Sequence, residues 1–328
     1  MVPVSLFGDL GDARDLDATV RLRLSSSLTY IFQRAKGRLE IDATRFEAAL
    51  EHIRARKQDP GVFARYYDLI SALTSNRMAD ANSLLGEIIE RAAGPAVSFA
   101  IAPYTRQHLG ADYERFPRLI FAEYSKTNPM ASPSDSQSAA STRMLEEALE
   151  IVSRVDPDIH KEIRALLVRI HLATASKNRS AKRFGGVTSF LVWGASFINV
   201  ELYKTRWDAV QFLVHEITHG LLFGLSHDDP LVQNAPEESY QSPLRADPRP
   251  MDGVFHATLV CGRLAEFNQA WLDSGLVNGT DRESSRKAVA DNLRVFRDGV
   301  AVINKHAKLS EQARQIIDRS CIGLSELA

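Results

Sequence analysis

Residues 207–225 constrain the fold more than any other segment, because their apolar side chains recur at the spacing of a helix buried in a protein core. The segment contains an H-E-x-x-H pattern formed by His215, Glu216 and His219. On a helix, positions i and i+4 lie on one face, so both imidazoles can reach one metal ion, whereas Glu216 points about 100° away. Two core histidines with protein hydrogen-bond partners are the alternative, since any buried imidazole needs a partner. The segment therefore predicts a buried helix and favours a metal site on it.

A metal bound by the two histidines needs at least one further protein ligand. His256 is the first candidate, because it lies in a second apolar helical pattern at residues 254–264 and two helices can cross at a metal. Carboxylates that follow the first helix along the chain are the other candidates: Glu238, then Glu237 and Glu266.

Proline stiffens the segment between the two predicted helices, because it fixes its own φ and restricts the residue before it. The three prolines are Pro243, Pro248 and Pro250. This segment carries Arg245 and Arg249, whose guanidinium groups stay charged and can bind both oxygens of a carboxylate. Each arginine is therefore a candidate to bind an acidic ligand, or to pair with a nearby acidic side chain of the loop.

The composition excludes several classes of function. The chain has 328 residues, of which 45% are hydrophobic and 25% charged, as in a globular protein with one large core or two modest ones. Its formal net charge of -1 provides no general attraction to nucleic acid or to an anionic membrane. No signal peptide or membrane-spanning run is evident, and the two cysteines, Cys261 and Cys321, suit a reducing cytoplasm. We expect a cytoplasmic protein.

Composition also predicts three regions. Residues 1–126 show successive helical patterns, and residues 127–142 consist mainly of Asn, Pro, Ser, Ala, Asp and Gln with almost no large apolar residue, which is typical of a flexible loop or linker. Residues 143–328 form the predicted metal-binding catalytic region, in which runs at 187–193 and 195–202 predict two strands. The expected fold is α+β, mainly helical, with a small β-sheet beside the H-E-x-x-H helix as in zincins.

Four sequence blocks, in this order, resemble one known family: residues 214–219, 227–232, 240–250 and 253–256. They read VHEITH, HDDPLV, YQSPLRADPRP and GVFH. The chain is similar, over residues 184–270, to the H-E-x-x-H-motif peptide-modifying proteins encoded with ribosomally made, post-translationally modified peptides. Members of that family are 2-oxoglutarate-dependent peptide β-hydroxylases.

The resemblance implies an Fe(II)- and 2-oxoglutarate-dependent dioxygenase that β-hydroxylates a residue of a precursor peptide during natural-product maturation. The implied iron ligands are His215, His219 and His256, which depart from the commoner set of two histidines and one carboxylate. Arg245 or Arg249 would bind the distal carboxylate of the cosubstrate 2-oxoglutarate, and dioxygen would be the second cosubstrate. Glu216 would orient a metal ligand or a bound water.

Two other functions fit the same motif. In a zinc metallopeptidase, Glu216 would act as general base on a zinc-bound water, and Glu238 or Glu266 would complete the ligand set. A non-catalytic peptide-binding protein would keep the metal only for structure. Glu216→Gln should abolish the activity of a peptidase. The oxygenase should depend on an arginine and on dioxygen instead, so the two functions can be distinguished.

Overall fold

The computed structural model describes residues 12–35, 37–121, 128–176, 184–227, 229–277 and 279–327. Over these ranges the chain is mainly helical, with one small sheet, which confirms the coarse α+β expectation. The helices are α1 (Ala13–Arg34), α2 (Ala43–Ala55), α3 (Pro60–Thr74), α4 (Met78–Ala93), α5 (Arg106–Leu109), α6 (Asp112–Ile120), α7 (Asp135–Val155), α8 (Pro157–Leu166), α9 (Arg206–Leu225), α10 (Met251–Asp273), α11 (Gly279–His306) and α12 (Glu311–Ser325). The strands are β1 (Ala100–Pro103), β2 (Met130–Ala131), β3 (Arg169–Ala175), β4 (Gly186–Thr188) and β5 (Ala195–Asn199).

The chain divides into two compact units. Their boundaries differ from the predicted boundaries, which lie after residue 126 and before residue 143. The N-terminal unit consists of Ala13–Arg143 and Arg164–Lys204. The C-terminal unit consists mainly of Met144–Ile163 and Thr205–Ala328. The segment between residues 164 and 204 therefore belongs with the N-terminal helices, because its strand β3 pairs with β1, which precedes β3 by some seventy residues, and β5 in turn pairs with β3.

The sheet lies in the N-terminal unit, with strand order β1-β3-β5-β4 and β2 paired to β3. Strands β1, β3 and β5 are parallel to one another, whereas β4 is antiparallel to β5. The strand predicted at 187–193 is shorter in the structure, because Ser189 caps a 3-10 helix at Phe190–Val192 by accepting a hydrogen bond from Leu191 N. The second predicted strand is present as β5.

The predicted loop at residues 127–142 is wrong over most of its length, although residue 127 lies outside the described ranges. Met130–Ala131 form β2, and α7 begins at Asp135. Ser134 and Gln137 explain the early start, because each side chain bonds the other's backbone N–H, Gln137 Oε1 at 2.8 Å and Ser134 Oγ at 3.2 Å. Such a capping box begins a helix even where few large apolar residues follow.

In the C-terminal unit, α10 is the central helix and packs against α9, α11 and α12. It approaches α11 closely where Gly299 faces Thr258, since a Cβ at position 299 would lie 2.9 Å from Thr258 Cβ. Gly262 is similarly close to Phe296 of α11. The backbones of α10 and α11 can therefore approach to this distance only because glycine occupies these positions. No described helix combines the length and apolar character required to cross a membrane.

Candidate metal centre

Helix α9 carries the H-E-x-x-H histidines, and its first turn is fixed by a capping box. Thr205 Oγ1 accepts a hydrogen bond from Asp208 N at 3.1 Å, and Asp208 Oδ2 accepts one from Thr205 N at 2.9 Å. Most residues of the following two turns are buried, as the apolar spacing predicts. The predicted helix is thus present as α9, with His215 and His219 half-buried on it.

Helix α10 runs antiparallel to α9 and brings His256 to the second α9 histidine. At one end of the crossing, His219 Nδ1 lies 3.0 Å from His256 Nδ1. About two turns earlier along α9, Gln211 and Asn268 form a reciprocal amide pair, with N···O distances of 3.2 and 2.8 Å. These two contacts define the register of α10 on α9. Periodicity alone could not have found the amide pair, because its partners are 57 residues apart.

The three predicted histidine ligands form one chain of contacts. His219 Nε2 lies 3.2 Å from His215 Nε2, and the opposite nitrogen of His219 faces His256. Phe223 lies against His219 and His256, with ring centroids 6.1 and 5.0 Å away. Phe223 follows His219 by one helical turn, and this i+4 spacing was the available sequence signal for it. The cluster is half-buried, with an aromatic wall on one side.

Each neighbouring pair of imidazole nitrogens in this cluster has the donor type and the separation that suit one metal ion. Two imidazole nitrogens bound to one ion at ~2.1 Å lie ~3.0–3.4 Å apart, which matches both measured nitrogen separations. His219, however, presents a different nitrogen to each neighbour, so at least one ring must reorient before all three can share one ion. Accordingly, in the part of the chain that the structure describes, no group of three or more His, Cys, Asp or Glu side chains is placed to hold a metal ion as it stands.

The electrostatics of the cluster favour neutral imidazoles, which is the form that binds metals. Burial lowers the pKa of His215 to about 4, and the nearby positive charge of Arg245 adds to this effect. Burial likewise lowers the pKa of His256 to about 4, although Asp252 opposes the shift. The pKa of His219 is lowered well below its usual value, first by burial and then by both neighbouring histidines.

The candidate carboxylates are placed less favourably than His256. Glu238 is exposed and accepts hydrogen bonds from the Tyr240 hydroxyl and from Asn234, which lower its pKa. Glu237 is exposed in the same turn. Glu266 follows His256 by ten residues on one helix, or ~15 Å, so the two cannot bind the same ion. Glu216 is only 3% exposed and directly follows His215.

The structure separates the two candidate arginines. Arg249 Nη2 pairs with Asp247 Oδ2 at 2.6 Å, and its backbone forms a two-bond bridge with Tyr240. Arg249 therefore stabilises its own loop. Arg245 is exposed, has no ion pair to a described carboxylate, and lies close enough to His215 to affect its pKa. Arg245, rather than Arg249, is thus the arginine whose charge acts on His215.

Comparison with known proteins does not assign the chain to a family. No protein-family model matches the chain, and no curated protein matches it.

Proposed function

We propose that the chain is a non-haem Fe(II)- and 2-oxoglutarate-dependent oxygenase that β-hydroxylates a residue of a ribosomally made precursor peptide. The observation that carries the proposal is the combination of three contacting imidazoles with the positive charge of Arg245, which acts on His215 and forms no ion pair with a described carboxylate. The choice of a peptide as substrate rests on the sequence resemblance. The zincin-like character of the fold is part of the same proposal, supported by an H-E-x-x-H helix that follows β5 along the chain.

In this proposal His215, His219 and His256 hold the metal. Bound Fe(II) supplies the redox chemistry by which one 2-oxoglutarate, one dioxygen and one C–H bond become succinate, carbon dioxide and a C–OH group. Three protein ligands leave coordination positions for the cosubstrates. The low pKa values of His215 and His256 keep these ligands unprotonated at neutral pH, so no proton competes with the metal.

The remaining residues bind and orient the reactants. Arg245 binds the distal carboxylate of 2-oxoglutarate through its charged N–H groups. Phe223 keeps water away from the His219 and His256 side of the metal, because its ring covers both imidazoles. Glu216, buried next to His215, orients a metal ligand and does not itself carry a proton between reactants.

A zinc metallopeptidase is the second candidate, and the burial of Glu216 beside His215 is the observation that favours it. Glu216 would then remove a proton from the attacking water. Glu238 and Glu266, the carboxylates expected to complete a zinc site, do not join the three imidazoles, which weakens this candidate relative to the oxygenase.

The test is anaerobic reconstitution with Fe(II) and 2-oxoglutarate, followed by dioxygen and measurement of succinate. We expect succinate that requires iron, falls at least about tenfold in Arg245→Gln, and changes little in Arg249→Gln. The second variant is a matched control, because it removes the same charge from an arginine already paired with Asp247. Absence of iron-dependent succinate, together with tightly bound zinc in the purified protein, would refute the oxygenase and support the hydrolase.

A further inference from the structure

We infer that the N-terminal unit holds a second ligand site, separate from the proposed oxygenase centre, which binds a small carboxylate with a short apolar tail. The site is a cavity of about 290 Å³ between the β1 edge of the sheet and helices α5 and α6. Its wall includes two arginines, Arg91 and Arg169, and two histidines, His108 and His171. Every residue of this wall belongs to the N-terminal unit.

The cavity exists because small side chains face large ones across the sheet. Ala100 pairs with Arg169 and Ala102 pairs with His171 in the parallel β1–β3 ladder. Side chains alternate along a strand, so these four residues share one face of the sheet. The two alanines on β1 leave space beside the two long side chains on β3.

The formal charges of the wall balance, because Asp59 and Asp112 offset Arg91 and Arg169, but they are unevenly distributed. Arg91 is neutralised, because Nη1 lies 2.8 Å from Asp59 Oδ1 and Nη2 lies 2.8 Å from Asp112 Oδ2. Arg169, by contrast, forms no ion pair with any carboxylate in the described ranges, and only its Nη1 donates hydrogen bonds, to Ser98 O at 2.7 Å and Val168 O at 3.2 Å. The Nε and Nη2 groups of Arg169 thus remain as donors for a ligand.

His171 adds a second polar group with unused hydrogen-bonding capacity. It is only 4% exposed, and its Nδ1 has no hydrogen-bond partner in the structure. A buried polar group without a partner costs free energy, and a bound ligand would remove that cost once the ring turned to present Nδ1, which has almost no accessible surface, to the cavity. Burial, and after it the positive charge of Arg169, lower the pKa of His171 to about 3, so the imidazole is neutral at neutral pH.

The other walls determine which anion fits. Pro60, Leu109 and Phe116 are apolar, and together with the two alanines they supply the apolar part of the cavity wall. The volume lies just below the usual range for ligand pockets, roughly 300–1,000 Å³, so only a small ligand fits. An anion with a hydrocarbon part of a few carbons fits better than a fully hydrated ion such as inorganic phosphate.

The experiment follows the histidine rings by NMR during titration with butyrate, butyramide and inorganic phosphate. The chain has nine histidines, so Cε1-labelled histidine gives few enough signals to assign by substitution. We expect butyrate to shift the His108 and His171 signals at concentrations where butyramide and phosphate do not. Arg169→Gln should weaken butyrate binding at least about tenfold, because it removes the charged donor.

Three control variants separate the cavity from general charge effects. Arg164→Gln removes a charge from the same unit but not from the cavity wall, and should leave butyrate binding unchanged. Ala102→Leu keeps every charge but fills the cavity, and should abolish binding. Arg245→Gln tests the proposed oxygenase centre, and should leave the His108 and His171 shifts intact even if the proposed function fails. Equal shifts with butyramide or phosphate, unchanged binding in Arg169→Gln, or no shift with butyrate would each overturn the inference.

Discussion

Replacement of His171 by Phe should remove a large part of the acid sensitivity of the N-terminal unit. His171 is 4% exposed, lies between Phe116 and Phe197, and has its pKa lowered by burial from 6.5 to about 3. Because the folded-state pKa of His171 lies below its unfolded value, the contribution of the neutral imidazole to the free energy of unfolding is fully present above pH 6.5. This contribution decreases as the pH falls towards 3.

The magnitude follows from proton linkage. Between pH 7 and pH 4 the unfolded chain gains most of a proton at this position and the folded chain gains almost none, which costs about 3 kcal/mol of unfolding free energy. In His171→Phe this loss should disappear, because phenylalanine does not titrate. The other titrating groups are present in both proteins and cancel in the comparison.

Hydrogen exchange of the β3 amides, corrected for the intrinsic rate at each pH, measures the free energy for opening this unit. We expect the wild-type and His171→Phe values to be within about 1 kcal/mol at pH 7, because the ring sizes are similar and Phe packs among aromatic neighbours. At pH 4 the variant should be more stable by about 3 kcal/mol. If both proteins lose the same free energy between pH 7 and pH 4, the imidazole is not neutral and buried as argued.

Three further predictions concern other parts of the chain. Gly299→Ala should destabilise the protein by about 1–3 kcal/mol in urea denaturation, because its new Cβ would clash with Thr258. Gly86→Ala is the control, and should stabilise the protein by about 0.5–1 kcal/mol because its Cβ would meet no atom within 4 Å. The reverse order of stabilities would contradict the packing argument. His256→Ala should weaken Co(II) binding, measured by titration calorimetry, by at least about tenfold, and an unchanged affinity would remove His256 from the ligand set. Glu216→Gln should retain Co(II) binding and reduce succinate formation by no more than about 100-fold, and complete loss of activity would favour the general-base role.

The helices around the candidate metal centre could be predicted because their signals are local. Helix α9 combines a regular apolar period with a capping residue, and the second apolar pattern predicted the position of α10. The first turns of α7 could not be found from hydrophobic period, since Ser and Ala dominate them; the Ser134–Gln137 capping box was the missed signal. The division into two units could not be predicted from the sequence either, because it depends on the non-local pairing of β1 with β3.

The arrangement of the site residues could likewise be predicted only where the sequence signal is local. The spacing of His215 and His219 places them on one face of a helix, whereas the proximity of His256 depends on how two helices cross, and only the structure gives that crossing. Sequence could not choose between Arg245 and Arg249, because the choice depends on which guanidinium pairs with Asp247. The cavity beside Arg169 was missed altogether, since it depends on the register of two strands.

In the proposed metal centre, the register of α10 would make metal affinity depend on the whole helical assembly. The His219–His256 contact and the Gln211–Asn268 pair lie at two levels of the same crossing, so a slide of α10 by one residue, ~1.5 Å, would break both. Thermodynamic linkage then requires that an ion which binds this arrangement also stabilises it, by RT ln(1 + [M]/Kd). Substitutions on α11 that shift α10 should therefore change the dissociation constant of the metal, although α11 contributes no ligand.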